Sequence, residues 1–583
     1  MSSLSFAGRG DKSIAGRPRD SFLPTLQSGS APASAIGLRR LRVLLLLAGV
    51  AGFLTFTVAQ AATTYYVAPT GSDGNPGTSS KPFREIRKAI SAANPGDTVS
   101  VADGSYLGFD LDGMSGTPAA VFTIRAQGQG AVVTPTTDRS DNRDTIHILF
   151  SSYVVLDGLR SFNANRAAIR IDQADHVTVA NGVYGNNATW GIFTDFADDL
   201  LLVNNECYAS GTQHGIYVSN SSQRPVVRGN RLHDNAGCGL QLNADLSQGP
   251  PGLITGAVLE ANVIWNNGTA GGSAINLDGV QSSIVRNNLL YNNHASGIAC
   301  FQIDGAAGPS GMQILNNTID MASDGRWALL FKSSTGSNVA RNNVLYNRNP
   351  NHGGIDYGDA TDVADTDSDY NILDAVTPDD STRVTLANWQ LAGHELHSLS
   401  AAPAALFVNA GVADYHLKAG SPAIDKGQTQ PNAPTDIDGK ARPIGPAYDI
   451  GCYEYGAPTP TAFYALAPCR LVDTRGPAGP LGGPSLSAGS QRTLTLISVC
   501  GVPLTARALS LNVTVTQPAV AGDLRLFPGG SLAPLVSTLN YGAGQTRANN
   551  AVATLGTGGT LTVRCDQPSG TAQLILDVNG YFQ

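Results

Sequence analysis

The sequence is poor in charge and in aromatic residues. Charged residues make up 14% of the 583 positions and aromatic residues 7%, whereas glycine occurs 66 times. This composition fits turn-dense β structure better than a helical bundle. We therefore expect an all-β protein in which short strands alternate with tight turns.

Cysteine is scarce, and no two cysteines form a C-x-x-C pair. The seven cysteines are Cys207, Cys238, Cys300, Cys452, Cys469, Cys500 and Cys565. The lack of close pairs argues against a structural zinc site. Disulfides can form in an exported chain, and we predict one between Cys500 and Cys565. The odd total leaves at least one thiol unpaired or bonded to another chain.

A long apolar run occurs near the N-terminus, over residues 43–58. Basic residues precede it and Ala59-Gln60-Ala61 follows it, which is the order of a secretory signal. The run is short for a membrane span. We predict a signal peptide with an extended N-terminal region over residues 1–61. The unusual length before the run fits either a start site assigned too far upstream or an uncleaved anchor.

The remaining chain has an excess of acidic residues. Removal of residues 1–61 takes away seven basic and two acidic side chains, so the formal charge moves from −8 to −13. Such a chain is a poor match for a phosphate backbone, and we expect no nucleic-acid partner. We expect a monomeric protein that is secreted or held at the cell surface.

Five apolar residues recur at almost constant spacing. Ile146, Ile169, Ile192, Ile216 and Leu240 are separated by 23, 23, 24 and 24 residues. Each opens a segment of alternating apolar and polar residues, typical of a strand with one buried face. The same pattern returns after an insertion, at 275–278. A repeat of ~20 to 30 residues without a helical pattern predicts a β-solenoid, whose coils bury their apolar faces by stacking.

A second strand in each repeat ends at an asparagine. These residues are Asn181, Asn205, Asn230, Asn262, Asn288, Asn317 and Asn343. Asparagine tolerates a left-handed backbone and hydrogen-bonds to like neighbours stacked ~4.8 Å apart. We interpret the series as a structural ladder.

The segment before the first repeat has the features of a solenoid start. Phe83, Ile86, Ala89 and Ile90 lie on one face of a predicted short helix that covers the end of the first coil. Residues 65–106, YYVAPTGSDGNPGTSSKPFREIRKAISAANPGDTVSVADGSY, resemble the start of secreted right-handed parallel β-helix proteins of the pectate-lyase-like superfamily. That group includes pectate lyases, alginate lyases and chondroitinase-type enzymes. The resemblance continues to about residue 350.

The C-terminal part resembles segments of bacterial surface proteins. Residues 421–455 look like the terminal segment that often follows such helices, and 351–415 predict a long loop or a lateral appendage. After a stiff linker at 456–462, residues 463–583 show the short alternating strands of a β-sandwich. Its motifs CRLVDTR and DVNGYF resemble a C-terminal module of exported proteins, which implies an accessory role at the cell envelope.

These features predict an all-β chain with two folded parts. The first is a right-handed parallel β-helix (solenoid) over residues 62–455, with a capping helix and the terminal surface-protein segment. The second is a small β-sandwich domain over 463–583. In the sandwich motif CRLVDTR, we expect Asp473 and Arg475 to form a structural ion pair.

Two outward columns of side chains follow from aligning the coils. One column is His147, Arg170, Phe193, Tyr217, Gln241 and Asn276, and its neighbour is Leu149, Asp172, Asp195, Ser219, Asn243 and Asp278. Successive members should lie ~4.8 Å apart and column neighbours ~6 to 7 Å apart. We therefore expect Arg170, Asp172 and Asp195 within reach of one another.

These columns predict a candidate site for a calcium ion and a uronate. Asp172 and Asp195 are the candidate calcium ligands, with Asp198 or Asp199 as a further oxygen donor. Calcium on a uronate carboxylate acidifies the C5 proton. The candidate catalytic residues for proton transfer are His147, Arg170, His214 and Tyr217. The candidate substrate-binding residues are Phe193, Gln241, Asn243, Asn276 and Asp278. Arg170 acts as a base only if its pKa falls far below ~13.

The same columns also fit a solvated ladder, because outward positions are polar in any soluble solenoid. His214 faintly resembles the GHG element of polygalacturonase-type hydrolases, but that family's aspartate clusters have no counterparts here. The lysine base of calcium-dependent pectate lyases has one counterpart in the coils, Lys332. We expect Lys332 at the surface, several coils from Asp172 and Asp195. Asp278 and Asp304 are nearer to it along the axis and make a second candidate site.

We therefore expect a secreted protein that engages an acidic or neutral polysaccharide along one sheet. As an enzyme, it would be a calcium-assisted lyase or uronate epimerase. The alternative is a non-catalytic glycan-binding or structural surface protein, because β-helices also serve as adhesins and spikes.

Overall fold

A computed structural model describes residues 62–135, 143–456, 462–531, 533–556 and 558–583. The predicted signal segment, residues 1–61, lies outside these ranges, as does nearly all of the predicted linker. Within the described ranges, no helix is both long enough and apolar enough to span a bilayer.

The first folded part is a parallel β-helix of three sheets, named A, B and C in the order in which each coil enters them. Sheet A contains Thr64–Val67, Thr98–Val101, Phe122–Ala126, Ser152–Asp157, Asp175–Ala180, Leu201–Val203, Val226–Arg228, Val258–Glu260, Ile284–Arg286, Gln313–Leu315, Asn338–Arg341 and Thr366–Asp369. Sheet B contains Gly104–Leu107, Ala131–Thr134, Arg160–Phe162, Val183–Gly185, Glu206–Tyr208, Arg231–His233, Val263–Trp265, Leu289–Tyr291, Thr318–Asp320 and Val344–Tyr346. Sheet C contains Phe109–Asp112, Ile146–Leu149, Ala167–Asp172, Trp190–Asp195, Ile216–Ser219, Leu240–Asn243, Ile275–Asp278, Ser296–Phe301, Trp327–Phe331, Ile355–Tyr357, Ala375–Thr377 and Val384–Thr385. The predicted solenoid is confirmed.

A column of inward apolar side chains runs along sheet C and explains the sequence period. Its members, in register and fully buried, are Ile146, Ile169, Ile192, Ile216, Leu240, Ile275, Ile298, Leu329, Ile355 and Val376. The coils therefore continue past residue 350, where the sequence showed no clear repeats. The short helix Ala360–Ala364 lies between successive strands there and obscures the period.

The predicted capping helix is present as Ile86–Ala92. Ile86 and Ala89 are buried, and with Phe83 they join the hydrophobic core of the first coils. The helix contacts the first strands of sheets A and C. It supplies the apolar cover that the open end of a solenoid requires.

The asparagine ladder is confirmed as a structural element, with one correction. Asn205 Nδ2 donates to Val179 O at 2.8 Å and to Asn230 Oδ1 at 3.1 Å, while Asn205 Oδ1 accepts from Gly182 N at 3.0 Å. The same contacts repeat through Asn230, Asn262, Asn288, Asn317 and Asn343 to Asn371. Asn181 lies outside this ladder, because it occupies the neighbouring exposed column, where φ is +56°.

The chain after the last coils forms a lateral appendage, one of the two predicted options. It contains the helices Leu386–Leu391 and Pro403–Leu406 and a two-stranded hairpin, Phe407–Asn409 with Asp414–Leu417. Two short 3₁₀ helices also occur, Leu246–Gln248 in the insertion and Ala410–Val412 in this hairpin.

The terminal segment 421–455 packs along the side of the coils. Arg442 and Glu454 form an ion pair whose side chains are fully buried. Arg442 Nη2 donates to Asn287 Oδ1 at 3.3 Å, and Cys452 N donates to Thr318 Oγ1 at 3.0 Å. These contacts fasten the segment to two successive coils, at Asn287 and at Thr318.

The C-terminal part consists of two antiparallel sheets that share one hydrophobic core, as in a β-sandwich. One sheet contains Phe463–Asp473, Thr571–Phe582, Ala508–Thr516 and Arg547–Thr554, with Leu486–Ser487 at its side. The other contains Gln491–Thr495, Thr560–Asp566, Gly522–Pro528 and Leu539–Tyr541. The predicted β-helix followed by a small sandwich is confirmed.

The predicted disulfide between Cys500 and Cys565 is wrong. Cys500 bonds instead to Cys469. Cys565 is fully buried in the sandwich core, with its Sγ 3.4 Å from the Tyr541 hydroxyl, whereas Cys469 and Cys500 are only partly buried beside that core. The expected ion pair of Asp473 with Arg475 is present at 2.7 Å.

Candidate functional site

The two predicted columns occur on the outer face of sheet C. His147, Arg170, Phe193, Tyr217, Gln241 and Asn276 are paired in register across six strands. The neighbouring column pairs Leu149, Asp172, Asp195, Ser219, Asn243 and Asp278 in the same way. Alternation along parallel strands in one register therefore places every candidate of these columns on one surface.

Arg170 lies between the two predicted calcium ligands. Its Nη2 donates to Asp195 Oδ2 at 2.7 Å and to Asp172 Oδ2 at 3.3 Å. Asp195 Oδ1 also accepts from Asn220 Nδ2 at 2.6 Å. The Arg170 side chain is only 9% exposed. Its Nη1 is buried, with no hydrogen-bond partner among the described residues.

His147 occupies the next coil towards the N-terminus, close to two carboxylates. Its Nδ1 is 4.0 Å from Asp110 Oδ1, and its Nε2 is 3.9 Å from Asp172 Oδ2. Burial lowers the pKa of His147, although Asp144, Asp110 and Asp172 act in the opposite direction. The ring is therefore neutral at neutral pH. In the described part of the chain, the buried Nε2 has no hydrogen-bond partner.

Three aromatic rings form a stack beside Arg170. Phe193 lies 4.1 Å from Trp190 and 5.3 Å from Tyr217, measured between ring centroids, and the Arg170 guanidinium lies 3.9 Å from the Phe193 ring. Trp190 was missed by the sequence reasoning because it lies at the first position of its strand, outside both columns. The strand begins two residues before Ile192, and Trp190 pairs there with Ala167, two residues before Ile169. Extending the repeat alignment by two residues would have found Trp190.

His214 and Tyr217 are the two remaining candidates for proton transfer, and both side chains are largely buried. His214 is buried, and its Nδ1 accepts a hydrogen bond from Cys238 N at 2.9 Å. Burial lowers the pKa of His214 to about 3. Burial also raises the pKa of Tyr217, so the phenol keeps its proton at neutral pH. Their predicted role in proton transfer stays a prediction.

The polar candidates in the later coils contact one another and a neighbouring turn. Asp278 accepts hydrogen bonds from the backbone N–H groups of Ile303 at 2.8 Å, Asp304 at 2.9 Å and Gly305 at 3.2 Å. Asn243 Nδ2 donates to Asp304 Oδ2 at 3.1 Å. Asp278 thus holds the turn at 303–305 beside the sheet.

Gln241 and Asn276 form the last pair of the first column. Asn276 Nδ2 donates to Gln241 Oε1 at 3.4 Å. The Oδ1 atoms of Asn243 and Asn276 are buried, and neither has a hydrogen-bond partner in the described residues. Two hydrogen-bond acceptors at this end of the face are therefore unused and lie beneath the surface.

The residues around Asp172 and Asp195 do not fit a calcium ion as they are arranged. Arg170 already occupies the place between the two carboxylates. Asp198 and Asp199 pair instead with Arg224, at 3.5 and 2.7 Å. No group of three or more His, Cys, Asp or Glu side chains in the described ranges is placed to hold a metal ion. Calcium binding stays a prediction, and it requires Arg170 to move.

Lys332 lies at the surface, as expected. Its Nζ is 3.3 Å from Asp380 Oδ2, and its side chain is about half exposed. Asp380 also accepts a hydrogen bond from Trp327 Nε1 at 3.2 Å. Lys332 is thus paired with the turn between the last two strands of sheet C, and the bonds given for Asp278 and Asp304 in the described residues go to other groups.

Part of the β-helix matches a known family model. Residues 65–304 match the sequence model of a family described as "Pel9A-like, right handed beta helix region". The predicted resemblance to pectate-lyase-like right-handed β-helix proteins is confirmed. The resemblance of the C-terminal module to surface proteins stays a prediction. A search of curated proteins found no match.

Three solved structures match this chain at low identity and with TM-scores below 0.5. The pectate lyase Pel9A is 18% identical, with 68% of this chain and 97% of that chain covered and a TM-score of 0.46. A rhamnogalacturonan lyase is 18% identical, with 53% and 87% covered and a TM-score of 0.38. An alginate lyase from Paenibacillus sp. str. FPU-7 is 18% identical, with 48% and 94% covered and a TM-score of 0.36.

Proposed function

We propose that this Pel9A-like β-helix binds a polysaccharide along the outer face of sheet C. One observation carries the proposal: a line of buried polar atoms on this face has no hydrogen-bond partner among the described residues. The atoms are His147 Nε2, Arg170 Nη1, Trp190 Nε1, Asn243 Oδ1 and Asn276 Oδ1. Buried polar groups are nearly always paired, and each unpaired one costs about 1–3 kcal/mol. These atoms have almost no exposed surface, so a ligand with many hydroxyl groups supplies their donors and acceptors when the side chains turn outward on binding.

The arrangement of these atoms favours an extended polymer over a compact ligand. From His147 to Asn276 the column crosses five steps between strands, or about 24 Å at ~4.8 Å per step. The aromatic stack of Trp190, Phe193 and Tyr217 stands in the middle of this line. Aromatic rings offer apolar surface to the C–H groups of a sugar chain, while the polar atoms on either side fix its direction.

The charge of the site sets a condition on the polymer. Arg170, Asp172 and Asp195 carry a summed formal charge of −1, and His147 adds none when it is neutral. A neutral polysaccharide meets no repulsion there. An acidic polysaccharide needs a cation that screens the aspartates, which is the proposed place of calcium.

The proposal is tested by calorimetric titration of the purified protein with neutral and acidic polysaccharides, with calcium present or chelated. We expect binding of at least one polymer, and we expect Trp190→Ala to weaken it about tenfold or more, as for aromatic anchors in other interfaces. Trp389→Ala is the matched control, because that indole stacks on His394 beside the last strands of sheet C, about seven strands along the sheet from Trp190. Equal losses in both variants, or no binding to any polymer, would refute the proposal.

A second candidate function, β-elimination on a uronate, is favoured by His147. Its unpartnered Nε2 and lowered pKa suit a base that takes the C5 proton. The electron pair then forms the C4–C5 double bond as the C4–O bond breaks, and the leaving oxygen takes a proton from water.

This candidate is tested by the ultraviolet absorbance of unsaturated uronates during incubation with pectate, alginate and glycosaminoglycans. We expect a rise with one polymer that His147→Ala abolishes while binding persists. Binding of a polymer without any rise in absorbance would support glycan binding and contradict the lyase activity. Export and attachment to the cell envelope through residues 463–583 stay proposals that rest on the sequence.

A further inference from the structure

A cleft lies on the outer face of sheet B, on a different sheet from the proposed polysaccharide face. Its volume is about 560 Å³, within the ~300–1,000 Å³ usual for small-ligand sites. Strand ends and turns of the coils form its floor, and the hairpin turn at 410–415 forms one wall. The side chains that matter are Trp265, Asn266, Tyr291, Asn292, Asp320 and Arg348.

The floor of this cleft is part of a ladder of stacked rings. Tyr208, His233, Trp265 and Tyr291 are in register on four successive strands of sheet B. Their centroids are 5.1, 4.2 and 5.7 Å apart, and the ring planes are within 9° of parallel. The ladder stops at Asp320, the register partner of Tyr291 on the next strand. The cleft opens at this break.

The hairpin partly closes the break with Tyr415. Its ring lies 5.5 Å from Tyr291, and its hydroxyl donates to Asp320 Oδ2 at 2.9 Å. Arg348 completes the polar wall, with Nη1 2.6 Å from Asp320 Oδ1 and a side chain that is 40% exposed. Arg348 therefore has N–H groups left over for a ligand in the cleft.

The lining matches a polar molecule without charge. Asp320 and Arg348 are the charged residues that line the cleft, and their charges cancel. Asn292 Nδ2 donates to Asn266 Oδ1 at 2.7 Å, which orients both amides at the rim. Opposite them lies the apolar turn of Ala410, Gly411, Val412 and Ala413. Amides, an arginine, ring edges and an apolar wall together suit a pyranose, which has a hydroxyl rim and an apolar face.

We propose that this cleft is a second glycan-binding site, which holds one or two sugar rings of a neutral saccharide. It is separate from the outer face of sheet C, which has its own aromatic stack on Trp190. A polymer held at both sites gains affinity from their linkage, because the second binding event becomes intramolecular. The break in the ladder at Asp320 explains why the site lies in this coil.

The test uses the whole protein and calorimetry with three neutral disaccharides: cellobiose, lactose and xylobiose. We expect one of them to bind, and we expect Ser323→Trp to weaken that binding at least tenfold. Ser323 is exposed at the rim, so the added indole fills the cleft and leaves the fold intact. Tyr291→Ala removes part of the floor and serves as a second variant.

Trp190→Ala is the matched control, because it changes the face of sheet C alone. Unchanged disaccharide affinity in this variant, together with the loss in Ser323→Trp, supports the second site. Loss in Trp190→Ala with full binding in Ser323→Trp would place the sugar on sheet C and overturn the inference. Absence of binding by all three disaccharides would also overturn it, whether or not a long polymer binds.

Discussion

Asn205→Ala is expected to lower the free energy of unfolding of the β-helix by about 3 kcal/mol. The substitution removes the side-chain bonds to Val179 O, Asn230 Oδ1 and Gly182 N. Gly182 N is buried, so this donor is left without a partner in a place that water does not reach, and Val179 O loses the bond from the amide. Because every rung of the ladder bonds to the next, the loss also loosens Asn230. Thermal and denaturant unfolding, followed by circular dichroism, measures the effect.

The adjacent residue provides the matched control. Asn204 is exposed, has a φ of +55° and contacts Asn181 at only 3.5 Å. Glycine accepts this conformation, and Gly229 occupies the same column one coil later with a φ of +66°. Asn204→Gly should therefore cost less than about 1 kcal/mol. Similar losses in both variants would contradict the assignment of the inner asparagines as the structural ladder.

Arg170→Ala is expected to cost about 2 kcal/mol and to create a response to calcium. Removal of one partner from a fully buried ion pair costs about 3–5 kcal/mol, but Asp172 and Asp195 are each about one fifth exposed, which reduces the effect. The two carboxylates then face each other across neighbouring strands without a cation. Calcium should bind between them and raise the thermal midpoint of the variant.

The effect of calcium on the thermal midpoint of the wild-type protein shows what Arg170 does in the native site. If calcium raises its midpoint, and Asp172→Asn with Asp195→Asn removes that rise, the predicted calcium ligands are supported and Arg170 moves aside on binding. If calcium acts only on Arg170→Ala, the arginine is the resident cation. Arg224→Ala is the control, because its pair with Asp199 is exposed and should cost no more than about 1 kcal/mol. No calcium response in either protein would contradict both readings.

The sequence was sufficient to predict sheet C because its alternation is strict. A period of two on each strand and a nearly constant repeat leave one register, so the neighbours of Arg170 followed directly. The positions of the Asp198 and Asp199 side chains could not be predicted in this way. Both residues lie in a turn, where the alternation of the strands does not fix the direction of a side chain. Asn181 was misplaced for a similar reason: two asparagine columns run side by side and differ by one residue.

Contacts between distant segments were beyond the reach of sequence patterns. Cys469, in the strand Phe463–Asp473, meets Cys500 in a turn that follows the strand Gln491–Thr495, and the spacing of cysteines does not reveal this contact. Tyr415 reaches Asp320 from a hairpin about a hundred residues away in the chain. The cleft on sheet B depends on that contact, so repeats alone could not indicate it. The predicted calcium site depends on how the charges pair. The sequence placed Arg170 near Asp172 and Asp195, but it did not show that the guanidinium fills the space between the two carboxylates.

The most direct measurement is a crystal structure of the protein with an oligosaccharide of the polymer that binds best. We expect sugar rings along the outer face of sheet C, with hydroxyl groups within hydrogen-bond distance of His147 Nε2, Arg170 Nη1 and Asn276 Oδ1. Sugar density confined to other surfaces, with these atoms bonded only to water, would contradict the proposed polysaccharide face.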